Sequence, residues 1–226
     1  MKNYKIAVVT SICGLNAELK DPDVVFDGVD YISFVDREHR SNVWIQKHAL
    51  DFSLDENYRG RRNAKIYKVM PQMFLPDYDY WFWVDSTHEL IMNPYDVIEN
   101  YLKDSEIGLW KHTSRDCLYD EGNIVNSLGY DHNHLVTNQI NYYQSVNYPV
   151  NNGLFELPAL IRKNTDNIKV LNLRWWEQIC KFSSRDQISF PYVLWKTNIK
   201  PTILPGWANG GLHQNPIIPQ VRFKSV

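Results

Sequence analysis

The sequence lacks several features that would identify a function class at once. Its 226 residues carry a formal net charge of only -2, which argues against a clamp for nucleic acid. No stretch approaches the roughly 20 apolar residues that cross a bilayer, so we expect no integral membrane segment. Neither GxGxxG nor GxxxxGK[ST] occurs, so neither a dinucleotide site nor a P-loop is supported.

Cysteine is scarce. Cys13, Cys117 and Cys180 are odd in number and lack the spacing of a metal site. Free thiols are typical of a reducing compartment, so we expect a cytoplasmic protein. The apolar start of the chain is interpreted as a first strand, because polar residues soon interrupt it.

Aromatic residues are abundant, at 14 % of the chain. Hydrophobic residues at 44 % and charged residues at 22 % are the proportions of a globular domain. No repeat or linker interrupts the sequence, so we predict one domain over residues 1–226.

Short runs of β-branched and aromatic residues predict strands at 5–10, 31–36 and 80–85. The third, YWFWVD, is apolar on both faces, which favours burial between two helical layers. Helical patterns alternate with the strands, among them 63–74 and a helix begun by Asn93 and Pro94. The alternation predicts an α/β fold with a mixed, mostly parallel central sheet flanked by helices on both faces.

Polar residues directly follow these strands, at the edge where open α/β sheets bind ligands. Thr10 and Ser11 follow the first strand, Asp36 ends the second and Asp85 ends the third. Asp85 is the sharpest signal, because a carboxylate at this edge suits a hard divalent cation that carries a diphosphate. The alternative is a carboxylate that only caps the following loop.

Three blocks carry a family resemblance: RRNAKIYKVMPQMFLPDYDYWFWVDSTHEL, WKHTSRDCLYDEG and SSRDQISFPYVLWK. They resemble successive blocks of a glycosyltransferase-like family first catalogued as a domain of unknown function. Its members include plant mucilage-related and turgor-regulation proteins and bacterial polysaccharide-locus proteins. The resemblance implies a GT-A-like fold and transfer of a sugar from a nucleotide donor, expected to be a UDP-sugar, to a polysaccharide or glycoconjugate acceptor.

The resemblance also implies a divalent cation, Mn²⁺ or Mg²⁺. Many GT-A enzymes place Asp-x-Asp after the buried strand, but here the third position is Thr87, so only Asp85 matches and metal dependence stays open. His213 in GGLHQNP resembles the late histidine that ligates metal in glycogenin-like enzymes. The alternative for His213 is a solvated loop histidine.

The donor site is expected to combine these strand ends with a basic helix start. Thr10, Ser11 and Asp36 would hold the nucleoside, and Thr87 would lie beside the donor. Arg62 and Lys65, at the start of the helix that precedes the third strand, would neutralise the diphosphate. A solvated basic face is the alternative.

The catalytic residues are inferred from a second likeness. Asp186 and Gln187 resemble the late Asp-Gln pair that lies beside the donor sugar in glycogenin-like transferases. Asp186 is expected to bind the sugar or act as base, and Glu156 is the second candidate. The alternative for Asp186 is an acid that only complements the helix dipole.

The acceptor side is assigned by the second block. His112, Arg115 and Glu121 match the family's His-x-x-Arg with its downstream acid. They either line the acceptor side or form a buried salt bridge that shapes the site. Trp207, in the glycine-flanked PGWANGG, is expected to be a lid or a platform for a sugar ring.

Two other function classes stay open. The missing second acid is compatible with a non-catalytic module that binds nucleotide or glycan on the same fold. A hydrolase with a metal held by Asp85, His112 and His213 is the third hypothesis, although these histidines lack a spacing signature. A hydrolase needs three ligands and an open position, whereas a transferase needs a cleft for base, ribose and diphosphate.

Overall fold

A mixed sheet forms the centre of the protein, whose computed structural model describes residues 4–14, 17–206 and 221–223. Its strands are β1 (Ile6–Ile12), β2 (Val29–Val35), β3 (Ile45–His48), β4 (Tyr80–Val84), β6 (Ile107–Lys111), β7 (Phe155–Lys163) and β8 (Thr202–Ile203). Their spatial order is β3-β2-β1-β4-β7-β6-β8. A separate antiparallel pair joins β5 (His88–Leu90) to β9 (Val221–Phe223).

Helices connect the strands, largely where the hydrophobic pattern predicts them. They are α1 (Arg59–Val69), α2 (Pro71–Phe74), α3 (Pro94–Tyr101), α4 (Leu118–Ser127), α5 (Asn133–Ser145), α6 (Asp166–Lys181) and α7 (Asp186–Thr197). The Asn93 side chain caps α3 by accepting from the Tyr95 amide at 3.0 Å, as the sequence predicts. Helices α6 and α7 are separated by a non-helical turn at 182–185.

The central strands are buried on both faces. In β4, Trp81 and Trp83 join a core cluster shared with helices α1, α6 and α7, whereas Tyr80 and Phe82 join the opposite cluster with α3. Such alternation places apolar groups against helices on either side of the sheet. The predicted α/β class, with helices on both faces, is confirmed, and most of the aromatic excess lies in this core.

Strand direction brings several chain ends to one edge of the sheet. β1, β2, β3 and β4 run parallel, so their carboxyl ends share that edge. β7 runs antiparallel to β4 and β6, so it begins at the same edge where those two end. The sheet is therefore mixed and mostly parallel, as predicted, and residues after β4 and β6 meet residues at the start of β7.

Two further predictions are that the chain has no integral membrane segment and that its cysteines are free thiols. Within the described ranges, no helix combines the length and the apolar character that a membrane span requires. Cys13, Cys117 and Cys180 are all free, the first two buried and the third exposed. The expected location stays a prediction, as does the single domain, which includes residues outside the described ranges.

The start of α1 packs directly on the loop that follows β1. A Cβ at Gly60 would lie 2.2 Å from the carbonyl oxygen of Cys13 and 2.9 Å from the Cα of Gly14. Only a residue without a side chain allows this approach of helix to strand end, which fixes α1 relative to the sheet edge.

We expect Gly60→Ala to lower the free energy of unfolding by about 3 kcal/mol, because the methyl group must displace backbone rather than a flexible side chain. Gly129→Ala is the control: φ there is +62° and nothing lies within 4 Å of the added Cβ. Backbone strain alone should lower the free energy of unfolding of the control variant by about 1 kcal/mol. Urea unfolding measures both, and a Gly60→Ala loss no larger than that of the control would contradict the packing argument.

Candidate active site

Four charged side chains meet at the sheet edge, and we call them the lysine–aspartate cluster: Lys65, Lys68, Asp85 and Asp186. Lys65 and Lys68 lie on one face of α1, Asp85 follows β4, and Asp186 is the first residue of α7. Three of the four, all except Lys68, are site residues predicted from the sequence. The structure thus brings together segments about a hundred residues apart.

Lys68 is held by three acceptors. Its Nζ lies 2.5 Å from Asp186 Oδ2 and 3.5 Å from Asp85 Oδ1, and it donates to the Leu157 carbonyl oxygen at 2.5 Å. Lys65 Nζ lies 2.8 Å from the same oxygen of Asp186. The Lys68 side chain is only 1 % exposed, whereas Asp85 is 41 % exposed. The cluster is therefore deep at Lys68 and open to solvent at Asp85.

Burial and ion pairing shift the pKa values of these groups in opposite directions. Burial disfavours the charged carboxylate of Asp186, but Lys65 and Lys68 outweigh it and hold its pKa well below the usual range. At Lys65, burial lowers the pKa to about 8, with Asp186 partly opposing the shift. Asp186 is therefore ionised at neutral pH, and Lys65 changes charge just above it.

A buried arginine fixes the end of α1 that carries Lys68. Arg162, on β7, donates to the carbonyl oxygens of Lys68 and Val69 and to Asn172 Oδ1. These bonds satisfy carbonyls at the C-terminus of the helix. Burial lowers the pKa of Arg162 to about 9. Sequence reasoning missed this residue, although an arginine inside an apolar strand is a signal.

A second buried carboxylate fixes the turn that leads into Asp186. Asp131 Oδ2 accepts from the amide and hydroxyl of Ser184, both at 2.7 Å, and from the Ser183 hydroxyl at 2.9 Å. Burial opposes its ionisation, but these hydrogen bonds prevail and lower the pKa of Asp131. Asp131 thereby positions the start of α7. Because Asp131 lies far from α7 along the chain, no sequence pattern predicts this role.

Two arginines continue the basic surface toward solvent: Arg61 on α1 and Arg185 in the turn before α7. Arg61 donates to the Tyr130 carbonyl oxygen, and the Arg185 guanidinium lies 5.3 Å from the Tyr130 ring centroid. Burial, and then the charge of Arg185, lower the pKa of Arg61. Among the described residues no carboxylate lies in ion-pair distance of either guanidinium, and the Arg185 Nε is buried without a hydrogen-bond partner.

The predicted donor residue Arg62 points elsewhere. Its Nε lies 2.9 Å from Asp55 Oδ2, and its guanidinium also donates to the carbonyl oxygens of Ile179 and Phe182. Arg62 thus ties α1 to α6. Arg61, Lys65 and Lys68, spaced i, i+4 and i+7, share the face toward the cluster, and this spacing was the signal that the sequence offered for Arg61 and Lys68.

A cleft of about 400 Å³ lies at the carboxyl ends of β1, β2 and β3. Its lining includes Cys13, Gly14 and Asp36, together with Gly60 and Asn63 of α1. Asp36 accepts a hydrogen bond from the Gly14 amide. The predicted nucleoside residue Asp36 therefore faces a cavity of suitable size for a small ligand.

The predicted end of the first strand needs correction, whereas the nucleoside-binding roles of Thr10 and Ser11 stay predictions. β1 continues to Ile12, two residues further than predicted, so both side chains lie within the strand. Thr10 is 1 % exposed, and the Ser11 hydroxyl lies 3.4 Å from Cys13 Sγ. The loop at Cys13 and Gly14, rather than these two residues, reaches the cleft.

The second block forms a salt bridge. Arg115 donates to Glu121 Oε2 from Nε at 3.0 Å and from Nη2 at 2.6 Å, and Glu121 is buried. Both ring nitrogens of His112 lie within hydrogen-bond distance of Arg115 groups. Burial, followed by Arg115, lowers the pKa of His112. Of the two predicted roles, the structure shows the salt bridge.

The remaining predicted catalytic residues are Glu156, near the start of β7, and Gln187, on α7. Glu156 is buried, and its Oε1 accepts from the Thr113 hydroxyl at 3.1 Å. Gln187 donates to the Phe155 carbonyl oxygen at 3.2 Å. Both are neighbours of the cluster in the fold, and their catalytic roles stay predictions. Trp207 and His213 lie outside the described residues.

The donors near Asp85 do not fit a divalent cation. Asp85 Oδ1 accepts from the Trp83 indole at 2.7 Å and faces the Lys68 ammonium, and the Thr87 hydroxyl lies 2.9 Å from His88 Nδ1. Asp186 faces two ammonium groups. No group of three or more His, Cys, Asp or Glu side chains in the described ranges is arranged to hold a metal. The metal-dependent hydrolase gains no support from this arrangement.

We expect Asp186→Asn to lower the free energy of unfolding at pH 7 by about 3–5 kcal/mol, because it leaves buried ammonium groups without their partner. The depressed pKa of Asp186 also makes its contribution complete above the unfolded-state value and lost as pH falls below about 4. Urea unfolding between pH 3 and 7 measures both effects.

Asp166→Asn is the matched control, because Asp166 also begins a helix but is 97 % exposed. Its stability loss should stay below about 1 kcal/mol. Equal losses in the two variants would show that the buried pairs do not carry the effect.

The sequence matches relatives in three comparisons. The TOD1/MUCI70, glycosyltransferase-like domain matches residues 1–204. A curated relative, the probable hexosyltransferase MUCI70 of Arabidopsis thaliana, is 25 % identical over 171 residues, which are 70 % of this chain and 29 % of that protein. The chain thus spans less than a third of that relative's length.

Two solved structures of glycosyltransferases resemble this chain in the arrangement of their elements. Mouse xyloside xylosyltransferase 1 has a TM-score of 0.49 and 9 % identity, over 89 % of this chain and 84 % of that one. The galactosyltransferase LgtC, in complex with donor and acceptor sugar analogs, has a TM-score of 0.44 and 12 % identity over 90 % and 73 %. Since the family match covers most of the sequence, the chain belongs to the TOD1/MUCI70 glycosyltransferase-like domain family.

Proposed function

We propose that the protein transfers a hexose or related sugar from a UDP-sugar to a polysaccharide or glycoconjugate acceptor. The observation that carries this proposal is the charge at the sheet edge. Three carboxylates and four basic side chains gather there: Asp85, Asp131, Asp186, Arg61, Lys65, Lys68 and Arg185. Four positive and three negative charges leave a net charge of +1 on this set.

That excess suits the diphosphate of a nucleotide sugar. The diphosphate bridge carries about two negative charges, and charge-assisted hydrogen bonds from arginine and lysine are strong. The adjacent Arg61 and Arg185 repel each other unless an anion lies between them. An anionic group there would relieve this repulsion and would give the Arg185 Nε a partner.

Helix α1 connects the two halves of the proposed donor site. Gly60 and Asn63 line the cleft at the ends of β1 to β3, where the nucleoside would lie beside Asp36. Arg61 and Lys65 lie on another face of the same helix and would contact the diphosphate. In the proposed pose the nucleoside diphosphate passes the start of α1, from the cleft to the cluster.

The chemistry then needs a stabilised leaving group and a base. The bond from the anomeric carbon to the diphosphate oxygen breaks with its electron pair on that oxygen, and the acceptor oxygen bonds the carbon and loses its proton. Fixed ammonium and guanidinium groups stabilise the departing charge. The pKa of Asp186 lies well below its usual range, so we assign it to sugar binding rather than to proton transfer. Glu156 stays the candidate base.

Arg61→Ala and Arg185→Ala should each weaken UDP binding about tenfold, because each removes a charge-assisted contact to the diphosphate. Arg174→Ala is the control, since Arg174 is exposed on α6 and pairs with Glu177. Isothermal titration calorimetry with UDP measures the three dissociation constants. Unchanged affinity in both site variants, or absence of UDP binding in the wild type, would contradict the proposed donor site.

Release of UDP from UDP-glucose and UDP-galactose, with polysaccharide acceptors present, separates an enzyme from a binding module. We expect turnover in the wild type and a loss of about a hundredfold in Asp186→Asn, assayed where the variant is folded. UDP binding without turnover on any sugar or acceptor would instead favour the non-catalytic module.

UDP binding should weaken three- to tenfold, roughly, as the pH rises from 7 to 9. The reason is that burial lowers the pKa of Lys65 to about 8, so this side chain is charged below pH 8 and neutral above it. The charged groups that face Lys65 are Asp186, Lys68 and Asp85. Lys65→Arg keeps its charge throughout and should show a flat profile. An equal loss in Lys65→Arg would assign the effect to another group.

A further inference from the structure

We propose that the Lys68 ammonium takes the place of the divalent cation beside Asp85, so that the protein binds a nucleoside diphosphate without metal. This inference rests on the proposed donor site and names how that site balances charge. Its basis is the position of Lys68 between two carboxylates at the end of β4. Many transferases with two acids after that strand place a metal ion there, and this chain has one acid.

One of the two carboxylate oxygens of Asp85 already has a hydrogen-bond donor and a cation near it. Asp85 Oδ1 lies 2.7 Å from the Trp83 indole nitrogen and 3.5 Å from Lys68 Nζ. A divalent ion bound at this oxygen would lie close to a fixed positive charge. Such repulsion is strong where water is scarce, as it is around a side chain that is 1 % exposed.

Lys68 is also immobilised where its charge is placed. Asp186 and the Leu157 carbonyl oxygen hold its Nζ, and the Trp83 ring centroid lies 5.7 Å from it. Arg162 holds the backbone of the same residue from the opposite side, through its carbonyl oxygen. A preorganised ammonium stabilises negative charge without reorganisation, which is the role that a metal ion plays in such sites.

The first test is UDP binding to the wild-type protein by calorimetry in EDTA and in MnCl₂. We expect the two dissociation constants to agree within threefold. Binding that occurs only with Mn²⁺, or that Mn²⁺ strengthens tenfold or more, would overturn the inference. Absence of UDP binding under both conditions would instead defeat the proposed donor site, so the two failures are distinguishable.

The second test uses Asp85→Asn, for which the two hypotheses predict opposite signs. If Asp85 held a metal that carries the diphosphate, the variant would lose UDP affinity. Under the inference it removes a negative charge near the phosphates and should raise UDP affinity about threefold in MnCl₂, the condition in which a metal site would be filled. A loss of affinity in MnCl₂ in a variant with an unchanged thermal midpoint would overturn the inference.

The third test removes the ammonium. Lys68→Met should weaken UDP binding in EDTA at least tenfold, and Lys169→Met, at an exposed position of α6 paired with Asp166, should leave it unchanged. Because Lys68 is buried, Lys68→Met/Asp186→Asn serves where the single variant does not fold, and its UDP affinity is compared with that of Asp186→Asn alone. A folded Lys68 variant that binds UDP as tightly as its reference, wild type or Asp186→Asn, would overturn the inference.

Discussion

The buried pair of Lys68 and Asp186 is the constraint on which the site depends. Each charge would be costly to bury alone, so the pair forces α1, α7 and the start of β7 into one arrangement. Arg162 and Asp131 act on the same two residues from outside, one through the end of α1 and the other through the turn before α7. The apolar faces of these elements determine that they pack together. The charged groups determine where each element lies relative to the others.

The hydrophobic pattern was sufficient to predict the fold, because β4 is apolar on both faces and Asn93 marks the start of α3. It also predicted that Asp85 and Lys65 lie at the site. The pattern failed at Thr10 and Ser11, since a strand does not end at its first polar residue when both of its faces are buried.

The charged partners were harder to predict than the strands. Arg62 rather than Arg61 is predicted at the donor site, because two adjacent arginines cannot be distinguished until the orientation of the helix is known. The pairing of Lys68 with Asp186 and of Asp131 with Ser184 joins residues far apart along the chain. Such pairs depend on the tertiary arrangement of helices, which local propensity does not contain.

The reversed direction of β7 has a consequence for folding order. Asp85 is backed by the Pro158 carbonyl and faces a lysine whose partner begins α7, so the site needs chain segments from both halves of the protein. Contacts of such long sequence separation form late, after loop-closure entropy has been overcome. A chain that ends before β7 therefore lacks both the Leu157 carbonyl and the Asp186 carboxylate that hold Lys68, so the lysine–aspartate cluster cannot form in it.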